Sequence, residues 1–440
     1  MIQSIFGEYD IKNNRTILCI LSDKNYNKSI ISCINTTTNI TNTYLINIKK
    51  YYSNIQIINQ IELGNKYIIN INNSKNKQID NCNLNLEINP FDNIYVVNCD
   101  CQYGFETKTW NKLYNKSKNH TSTIFHIGDQ IYNDKYVLDI YYKKKSNEFN
   151  KKLITKELYI QYLKHFTRNE KSLILKNNFN IMIPDDHDVI DDSFINSHSN
   201  DKYLKKIFNL ITNITNKIQL SLKFNYSNED FMFIEDTKNN TIYMFNCSDS
   251  KYTENKLIKY DVFNKFNKYK NIVIFNRKIF LSEIRSSLYN FIFGYSINQI
   301  NNNDPLLSLL IKLKKCDTIN ILCGDEHAMT TTELLYYNKY LLNTISVGSI
   351  NSAVDFIGVN YNLDSKIKSL HSKYKNRFCK NGFVKINYIN DKLTINLIKN
   401  KLNSVLYNVI NYGWVGCKLT YYFYIKKYFY NLLNIMENNK

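Results

Sequence analysis

The sequence predicts an α/β fold built on parallel strands and preceded by a small all-β unit. Short apolar runs between Asn-rich turns fill residues 1–90, a spacing that is typical of a small β-sandwich. From residue 94 onward, strand-like runs alternate with longer segments of helical periodicity, as in βαβ units. We therefore predict a β-sandwich-like domain at residues 1–90, an α/β domain at 91–400 and a helical tail at 401–440.

Individual elements follow from the apolar runs and their turns. The N-terminal runs that read as strands are residues 15–21, 30–34, 43–48, 55–61, 66–71 and 84–88. The later predicted strands are residues 94–97, 124–127, 178–184, 241–247, 271–275, 318–323 and 342–347, with closing antiparallel strands at 382–388 and 393–398. Helical spacing marks residues 107–117, 155–177, 278–293 and 306–314.

The composition limits the classes of partner and compartment. The formal charge of +19 favours anionic partners such as nucleic acid or a membrane surface. A genome rich in A and T, as in some microbes and large DNA viruses, would produce the same excess of Lys, Asn, Ile and Tyr, so this charge has little weight. The ten Cys form no CxxC pair, and the first residues lack the pattern of a secretory signal. We therefore expect an intracellular protein.

The C-terminal tail does not read as a membrane span. Residues 412–433 are aromatic and apolar, but Lys418, Lys426 and Lys427 interrupt them. A helix packed on the domain fits this pattern, and so does a helix lying on a membrane surface.

Four of the predicted strands end in residues that can bind metal ions. These strand ends are NCDC (98–101), GDQIYND (128–134), DDHD (185–188) and GDEH (324–327). The carboxyl ends of parallel strands lie along one edge of a sheet, where α/β folds place their sites. Only 11 of the 440 residues are glycine, yet Gly128 and Gly324 stand directly before Asp129 and Asp325, where the backbone must turn tightly. The sequence therefore predicts one site that draws on all four strand ends.

Carboxylates that converge on one edge favour a metal centre, because like charges in contact oppose each other's ionisation unless a cation neutralises them. We expect Asp129 to bridge two ions, while Asp186, Asp325 and His327 supply further oxygen and imidazole ligands. Two ions roughly 3.5–4 Å apart polarise a phosphoryl oxygen and convert bound water into hydroxide for in-line attack.

The identity of the ions follows from the softer side chains. A thiolate from Cys99 and a phenolate from Tyr132 favour Fe³⁺ or another transition metal. The carboxylates favour a divalent ion beside it, which we expect to be Ca²⁺, Mg²⁺, Mn²⁺ or Zn²⁺.

Taken singly, each feature has a plainer interpretation. A Gly-Asp pair after a strand is usually a turn, a lone His is usually structural, and a lone Cys is usually a small buried hydrophobe. The run at residues 185–192 alone would pass for a solvated loop. Only seven His occur in the chain, however, and His187 and His327 both fall inside the acidic strand-end clusters. This combination favours the metal site.

The ordered elements NCDCQ (98–102), HIGDQIYND (126–134), PDDHDVIDD (184–192) and CGDEHA (323–328) resemble the PhoD-like branch of the calcineurin-type metallophosphoesterases. The resemblance covers about residues 94–330. It implies a two-sheet α/β sandwich with flanking helices, often preceded by a small β-domain, and hydrolysis of phosphate esters. It also departs from the family pattern, because Asn98 stands where Ser is usual and no export signal is evident.

The resemblance also implies roles for individual residues. Asp129 would be the bridging ligand, and His187 would hydrogen-bond the phosphoryl oxygen or the leaving group. Lys251 stands where the family has a phosphate-binding Arg, and a lysine keeps the charge but loses the bidentate fork. Arg168 is a second candidate for substrate binding, although a surface salt bridge explains it equally well. The thiolate ligand is Cys99 or Cys101, and Cys99 is preferred because it directly follows the strand.

Two functions remain open at the level of sequence. The first is a binuclear metal-dependent phosphomonoesterase or phosphodiesterase. The second is an inactive phosphoesterase fold that binds nucleic acid or anionic lipid through its Lys- and Tyr-rich surface.

Overall fold

The chain is a mixed α/β protein whose strands form sheets of eight, seven and four strands. The computed structural model describes residues 2–10, 15–58, 61–102, 108–142, 149–191, 198, 200–219, 231–246, 268–276, 318–324, 327, 329–337, 339–350, 370–378 and 381–399. The predicted helices at residues 278–293 and 306–314 and the predicted tail at 401–440 lie outside these residues.

The eight-stranded sheet carries three of the four predicted strand ends. In spatial order its strands are β19 (Lys392–Lys399), β18 (Gly382–Ile389), β8 (Asn93–Val97), β9 (Thr123–Ile127), β10 (Phe179–Ile183), β1 (Ile2–Asp10), β2 (Arg15–Ser22) and β5 (Tyr51–Ile58). β8, β9, β10 and β1 are parallel neighbours, and the remaining strands pair antiparallel at both sides. The carboxyl ends of β8, β9 and β10 therefore lie side by side.

The seven-stranded sheet carries the fourth strand end. Its spatial order is β11 (Phe231–Asp236), β12 (Thr241–Asn246), β13 (Asn271–Asn276), β14 (Thr318–Cys323), β16 (Lys339–Val347), β15 (Met329–Tyr336) and β17 (Leu370–Phe378). β12, β13, β14 and β16 are parallel, so His327 follows a parallel strand here too.

The N-terminal strands divide between two sheets. β4 (Ile40–Ile48), β3 (Tyr26–Asn35), β6 (Lys66–Asn72) and β7 (Gln78–Asn85) form the four-stranded sheet. β1, β2 and β5 instead join the eight-stranded sheet, in which β1 pairs parallel with β10. A strand before the predicted boundary at residue 90 thus pairs with a strand after it. The division of the chain into domains stays a prediction.

Alternation along β9 explains how the two large sheets meet. Phe125 and Ile127 point to the core between the sheets, whereas Ile124 belongs to a cluster on the opposite face. The Phe125 ring lies edge-on to Phe245 and Phe275 of the other sheet, with ring centroids 4.9 and 4.8 Å apart. The period of two therefore fixes which side of the strand builds the interface between the sheets.

Helices cover the outer face of the eight-stranded sheet. They are α1 (Thr109–Ser117), α2 (Asp134–Tyr142), α3 (Lys151–Phe166), α4 (Asn169–Asn177) and α5 (Lys202–Gln219). The single helix predicted at residues 155–177 is two helices, because Arg168 is extended (φ −70°, ψ 128°) and interrupts the helical hydrogen bonds. Among the described helices, none combines the length and the apolar character that crossing a membrane requires.

Truncation of Phe125 should destabilise the protein strongly. Phe125→Ala leaves a cavity between the two large sheets, and we expect a loss of about 3–5 kcal/mol in the free energy of unfolding. Urea denaturation of the purified variant measures it. Leu45→Ala is the control, because Leu45 is 72% exposed and its truncation should change stability by less than about 0.5 kcal/mol. Equal effects of the two substitutions would contradict the packing described here.

Candidate metal centre

Asp129 stands at the end of β9 in an unusual backbone conformation. Its φ is 52°, and Gly128 before it has φ 117°. A non-glycine residue in the left-handed region is uncommon and costs about 1–2 kcal/mol. Cys99, at the end of neighbouring β8, has φ 50°. Two adjacent strand ends therefore hold strained residues, a feature that clusters at functional sites.

The first ligand group contains Cys99, Asp129 and His327. One ligand atom from each lies within 4.8 Å of the other two. The Cys99 thiol donates to Asp129 Oδ2 at 3.3 Å, and the Tyr132 hydroxyl donates to the same oxygen at 3.2 Å. Tyr132 Oη is also 3.2 Å from His327 Nε2. Sulfur, phenol, carboxylate and imidazole thus converge on one point, although they come from both large sheets.

The second ligand group contains Asp129, Asp186 and His187, again with ligand atoms within 4.8 Å of one another. Asp186 and His187 belong to a short 3-10 turn, Asp186–Asp188, that follows β10. The His187 ring stacks on Tyr132, with centroids 4.4 Å apart and planes 22° apart. Asp129 is the residue that the two groups share.

Asp134 fixes the orientation of His187. His187 Nδ1 lies 3.0 Å from Asp134 Oδ2, while Asp134 Oδ1 accepts a hydrogen bond from the Asp191 backbone N–H at 2.7 Å. Asp134 is fully buried, so water does not compete for these hydrogen bonds. With Nδ1 directed at Asp134, Nε2 is the imidazole nitrogen left for the site.

The electrostatics of the metal-free site are unfavourable for free carboxylates. Burial raises the pKa of Asp129 well above its usual range; His187 offsets part of this, and Asp185 and Asp186 raise it further. Burial likewise raises the pKa of Tyr132, and the neighbouring Cys99 adds to the effect. Cations in the site would reverse both effects and favour the carboxylate and the phenolate.

His187 responds in the opposite sense. Burial alone would lower its pKa, but the carboxylates of Asp134 and Asp129 outweigh burial and raise the pKa well above the usual range. Without metal, the neighbouring carboxylates therefore favour the protonated form of this imidazole. A doubly protonated imidazole donates hydrogen bonds and does not ligate metal.

Metal ions fit the side chains that are present. Asp129 Oδ1 is buried and has no hydrogen-bond partner in the described part of the chain. A buried carboxylate oxygen without a partner is costly, and a cation would satisfy it. The donors near Cys99 and Tyr132 suit a transition metal, whereas Asp129 and Asp186 suit a hard divalent ion.

The predicted site residues differ in where they lie. Cys99, Asp129, Tyr132, Asp186, His187 and His327 come together as described above. Cys101 is buried but belongs to neither ligand group. Arg168 is exposed directly before α4, where its Nη2 donates to the backbone oxygen of Gln102 at 3.2 Å. The two remaining predicted residues, Asp325 and Lys251, lie outside the described residues.

Two supporting residues were not singled out from the sequence. The Gln102 side chain accepts from the Tyr132 backbone N–H at 2.8 Å and donates to the Tyr132 backbone oxygen at 2.6 Å. Asp188 accepts from the backbone N–H groups of Ile131 (3.1 Å) and Asp185 (2.8 Å) and from Gln219 Nε2 of α5 (2.7 Å). Both lie inside the motifs, but only the folded backbone reveals which groups they hold.

The overall geometry is that of a PhoD-like fold. A solved structure described as "Structure of PhoD" matches with a TM-score of 0.59 over 90% of this chain and 88% of that chain, at 10% sequence identity. At this identity the likeness establishes the fold alone. No protein-family model and no curated protein matches the sequence.

Other solved structures match only weakly. They include β-glucuronidases from Ruminococcus gnavus (TM-score 0.24, 9% identity, 74% of this chain and 54% of that chain) and from Dictyoglomus thermophilum (TM-score 0.25, 11% identity, 73% and 61%). TM-scores this low support no argument about this chain.

Gly128→Ala should disrupt the site. A Cβ at this position would lie 2.9 Å from the Cβ of Asp185, closer than side chains tolerate, so the loop that carries Asp186 and His187 must move. We expect the variant to bind metal at least about tenfold more weakly, within the 10–100-fold range for disturbed metal surroundings. Calorimetric titration of the metal-free protein measures this.

Gly64→Ala is the matched control. Gly64 also has a positive φ of 90°, but a Cβ there would meet nothing within 4 Å. Both substitutions carry backbone strain, so their difference isolates the clash with Asp185. Similar metal affinities for the two variants would contradict the contact.

The metal-free protein should lose stability as the pH rises above neutrality. The folded-state pKa of His187 lies above the unfolded value of about 6.5, so its contribution is complete below that pH and is lost as the pH rises through the folded pKa. Asp134→Asn keeps the shape but should lower this pKa and flatten the dependence. NMR titration of the imidazoles measures it directly, with His126, whose pKa burial lowers to about 4, as the internal reference. A His187 pKa unaffected by Asp134→Asn would contradict the pairing.

Proposed function

We propose that the chain is a binuclear metal-dependent phosphoesterase of the PhoD-like type, acting on a phosphate-ester substrate. The observation that carries this proposal is the shared position of Asp129 in two adjacent groups, one with Cys99 and His327 and one with Asp186, beside which His187 lies as a hydrogen-bond donor. A carboxylate common to two ligand groups can hold two ions close together, which is the arrangement that two-metal hydrolysis uses. The PhoD-like fold supports the same assignment.

The proposal assigns one ion to each ligand group. Cys99, Tyr132, Asp129 and His327 would hold Fe³⁺ or another transition metal, and Asp129 with Asp186 and Asp325 would hold Ca²⁺, Mg²⁺, Mn²⁺ or Zn²⁺. When bound, such ions polarise a phosphoryl oxygen and lower the pKa of water. The protein residues fix where this happens.

The remaining residues would handle the substrate. His187 is oriented by Asp134, whose carboxylate favours the protonated imidazole, so its Nε2–H would donate a proton to the leaving oxygen of the ester. Arg168 contacts the backbone of Gln102, whose side chain hydrogen-bonds to Tyr132, and would stabilise the negative charge of the phosphate. Lys251 is proposed for the same task.

The proposal includes the organisation of the chain. The eight- and seven-stranded sheets would form the sandwich of the catalytic domain at residues 91–400. The small β-domain at residues 1–90 and the helical tail at 401–440 would be additions to it. We propose that the enzyme acts inside the cell, on an intracellular phosphate ester.

Asp129→Asn tests the function. The purified protein should contain two metal ions per chain by elemental analysis and release p-nitrophenol from p-nitrophenyl phosphate or bis(p-nitrophenyl) phosphate. The variant should lose more than about a hundredfold in kcat/KM, the upper range for losing an outer-shell partner, because Asp129 would bind both ions directly. Comparing the two esters separates monoesterase from diesterase action.

Asp391→Asn is the matched control for this test. Asp391 also has a positive φ, of 61°, but is exposed in the turn between β18 and β19. It should retain full activity. An Asp129→Asn variant that remains active would contradict the site. A wild-type protein that binds DNA or anionic vesicles in a salt-sensitive manner, without metal and without hydrolysis, would favour the scaffold function instead.

A further inference from the structure

A second cluster of titratable side chains lies next to the candidate metal centre. It contains Asp100, His165 and Lys171, whose side chains are 4%, 2% and 3% exposed. Lys171 Nζ donates to Asp100 Oδ2, and His165 Nε2 lies 2.9 Å from the same oxygen. Neither ligand group includes these residues.

The cluster joins the two strand ends that carry Cys99 and Asp129. Asp100 follows Cys99 directly, and its backbone N–H donates to the backbone oxygen of Asp129 at 2.8 Å. Lys171 Nζ, which comes from α4, also lies 3.4 Å from the backbone oxygen of Gln130, the residue after Asp129. The Lys171 ammonium group thus contacts both the segment that follows Cys99 and the segment that follows Asp129.

Stability alone gives a weak reason for this buried pair. Removing two charges from water is costly, and apolar residues of similar size often serve the fold equally well. The surroundings are apolar, because Lys171 Nζ lies 4.6 Å from the ring centre of Phe166 and 5.3 Å from that of Trp110. Among the residues that the structure describes, the hydrogen-bond partners of Lys171 thus belong to the two strand ends.

The strained backbone at the two strand ends gives a reason for a buried charged pair at this position. Cys99 and Asp129 both have positive φ values, and strained residues persist only where the surroundings over-determine them. A charged, hydrogen-bonded pair is directional, whereas apolar packing is not. The pair is therefore suited to hold both residues in the strained conformation.

We propose that Asp100 and Lys171 are positioning residues that hold Cys99 and Asp129 at the spacing required to bind metal. This inference rests on the proposed metal centre but concerns residues outside its ligand set. His165 closes the cluster on the side of α3 and remains neutral, because burial lowers its pKa to about 4.

The test replaces the charged pair by a neutral pair of similar size, Asp100→Asn together with Lys171→Met. Neither charge is then left unpaired, so the double variant should melt at or above the temperature of the wild type. Its dissociation constant for Mn²⁺ or Zn²⁺ should nevertheless rise at least about tenfold, measured by calorimetric titration of the metal-free protein. A purely structural role would leave this constant unchanged once the fold is stable.

Two further variants sharpen the test. Lys171→Arg keeps the charge and should retain most of the affinity for metal. Lys176→Met is the matched control, because Lys176 lies on the same helix and pairs with Asp80 at 2.7 Å without contacting either strand end. It should bind metal as the wild type does. Should the double variant fail to fold, Lys171→Met alone, which leaves Asp100 beside His165 at 2.9 Å, is expected to show the same tenfold loss.

The outcomes separate this inference from the proposed function. A wild-type protein that binds no metal overturns both. A wild type that binds metal, together with a stable double variant of unchanged affinity, overturns the positioning role and leaves the phosphoesterase proposal standing. Unchanged affinity in a folded Lys171→Met variant has the same meaning if that variant is the one measured.

Discussion

The structure depends on a concentration of carboxyl groups at the ends of parallel strands. Burial disfavours ionisation of Asp129 most, and the nearby carboxylates of Asp185, Asp186 and Asp188 add to the effect. Such an arrangement is unfavourable for a stable fold unless cations compensate it. His187, held by Asp134, compensates part of the charge, and metal ions are the remaining counter-charge that the donors suit.

The fold brings the donors together because both large sheets end at the same place. Phe125 fixes one face of β9 against the seven-stranded sheet, and the strand then ends at Gly128 and Asp129. The same packing brings His327, which follows β14, to Tyr132. A displacement between the sheets would therefore separate His327 from Asp129, so the interface between the sheets and the geometry of the site are one constraint.

The presence of parallel strands and their acidic ends could be read from the sequence, because both depend on local patterns. Gly128 and Asp129 end an apolar run, and DDHD ends another. The sequence could not show that β1, β2 and β5 join the eight-stranded sheet. A period of two indicates that a strand exists, but it does not indicate which strand it pairs with.

The supporting contacts could not be predicted from the sequence for a related reason. Gln102 binds the backbone of Tyr132, and Lys171 binds the backbone oxygen of Gln130. Main-chain groups are the same at every position, so no side-chain pattern marks the residue that will contact them. The break at Arg168 is similar: the apolar spacing continues on both sides of it, and only the extended backbone separates α3 from α4.

The shared position of Asp129 makes the two ligand groups unequal in a defined way. Cys99, Tyr132 and His327 surround this carboxylate in one group, and Asp186 and His187 belong to the other. An ion in the first group would withdraw charge from Asp129 and weaken its hold on an ion in the second, so the two affinities would be coupled through one residue. Substitution of Asp186 would change chiefly the second group, whereas a change at Asp129, or in the residues that position it, would affect both.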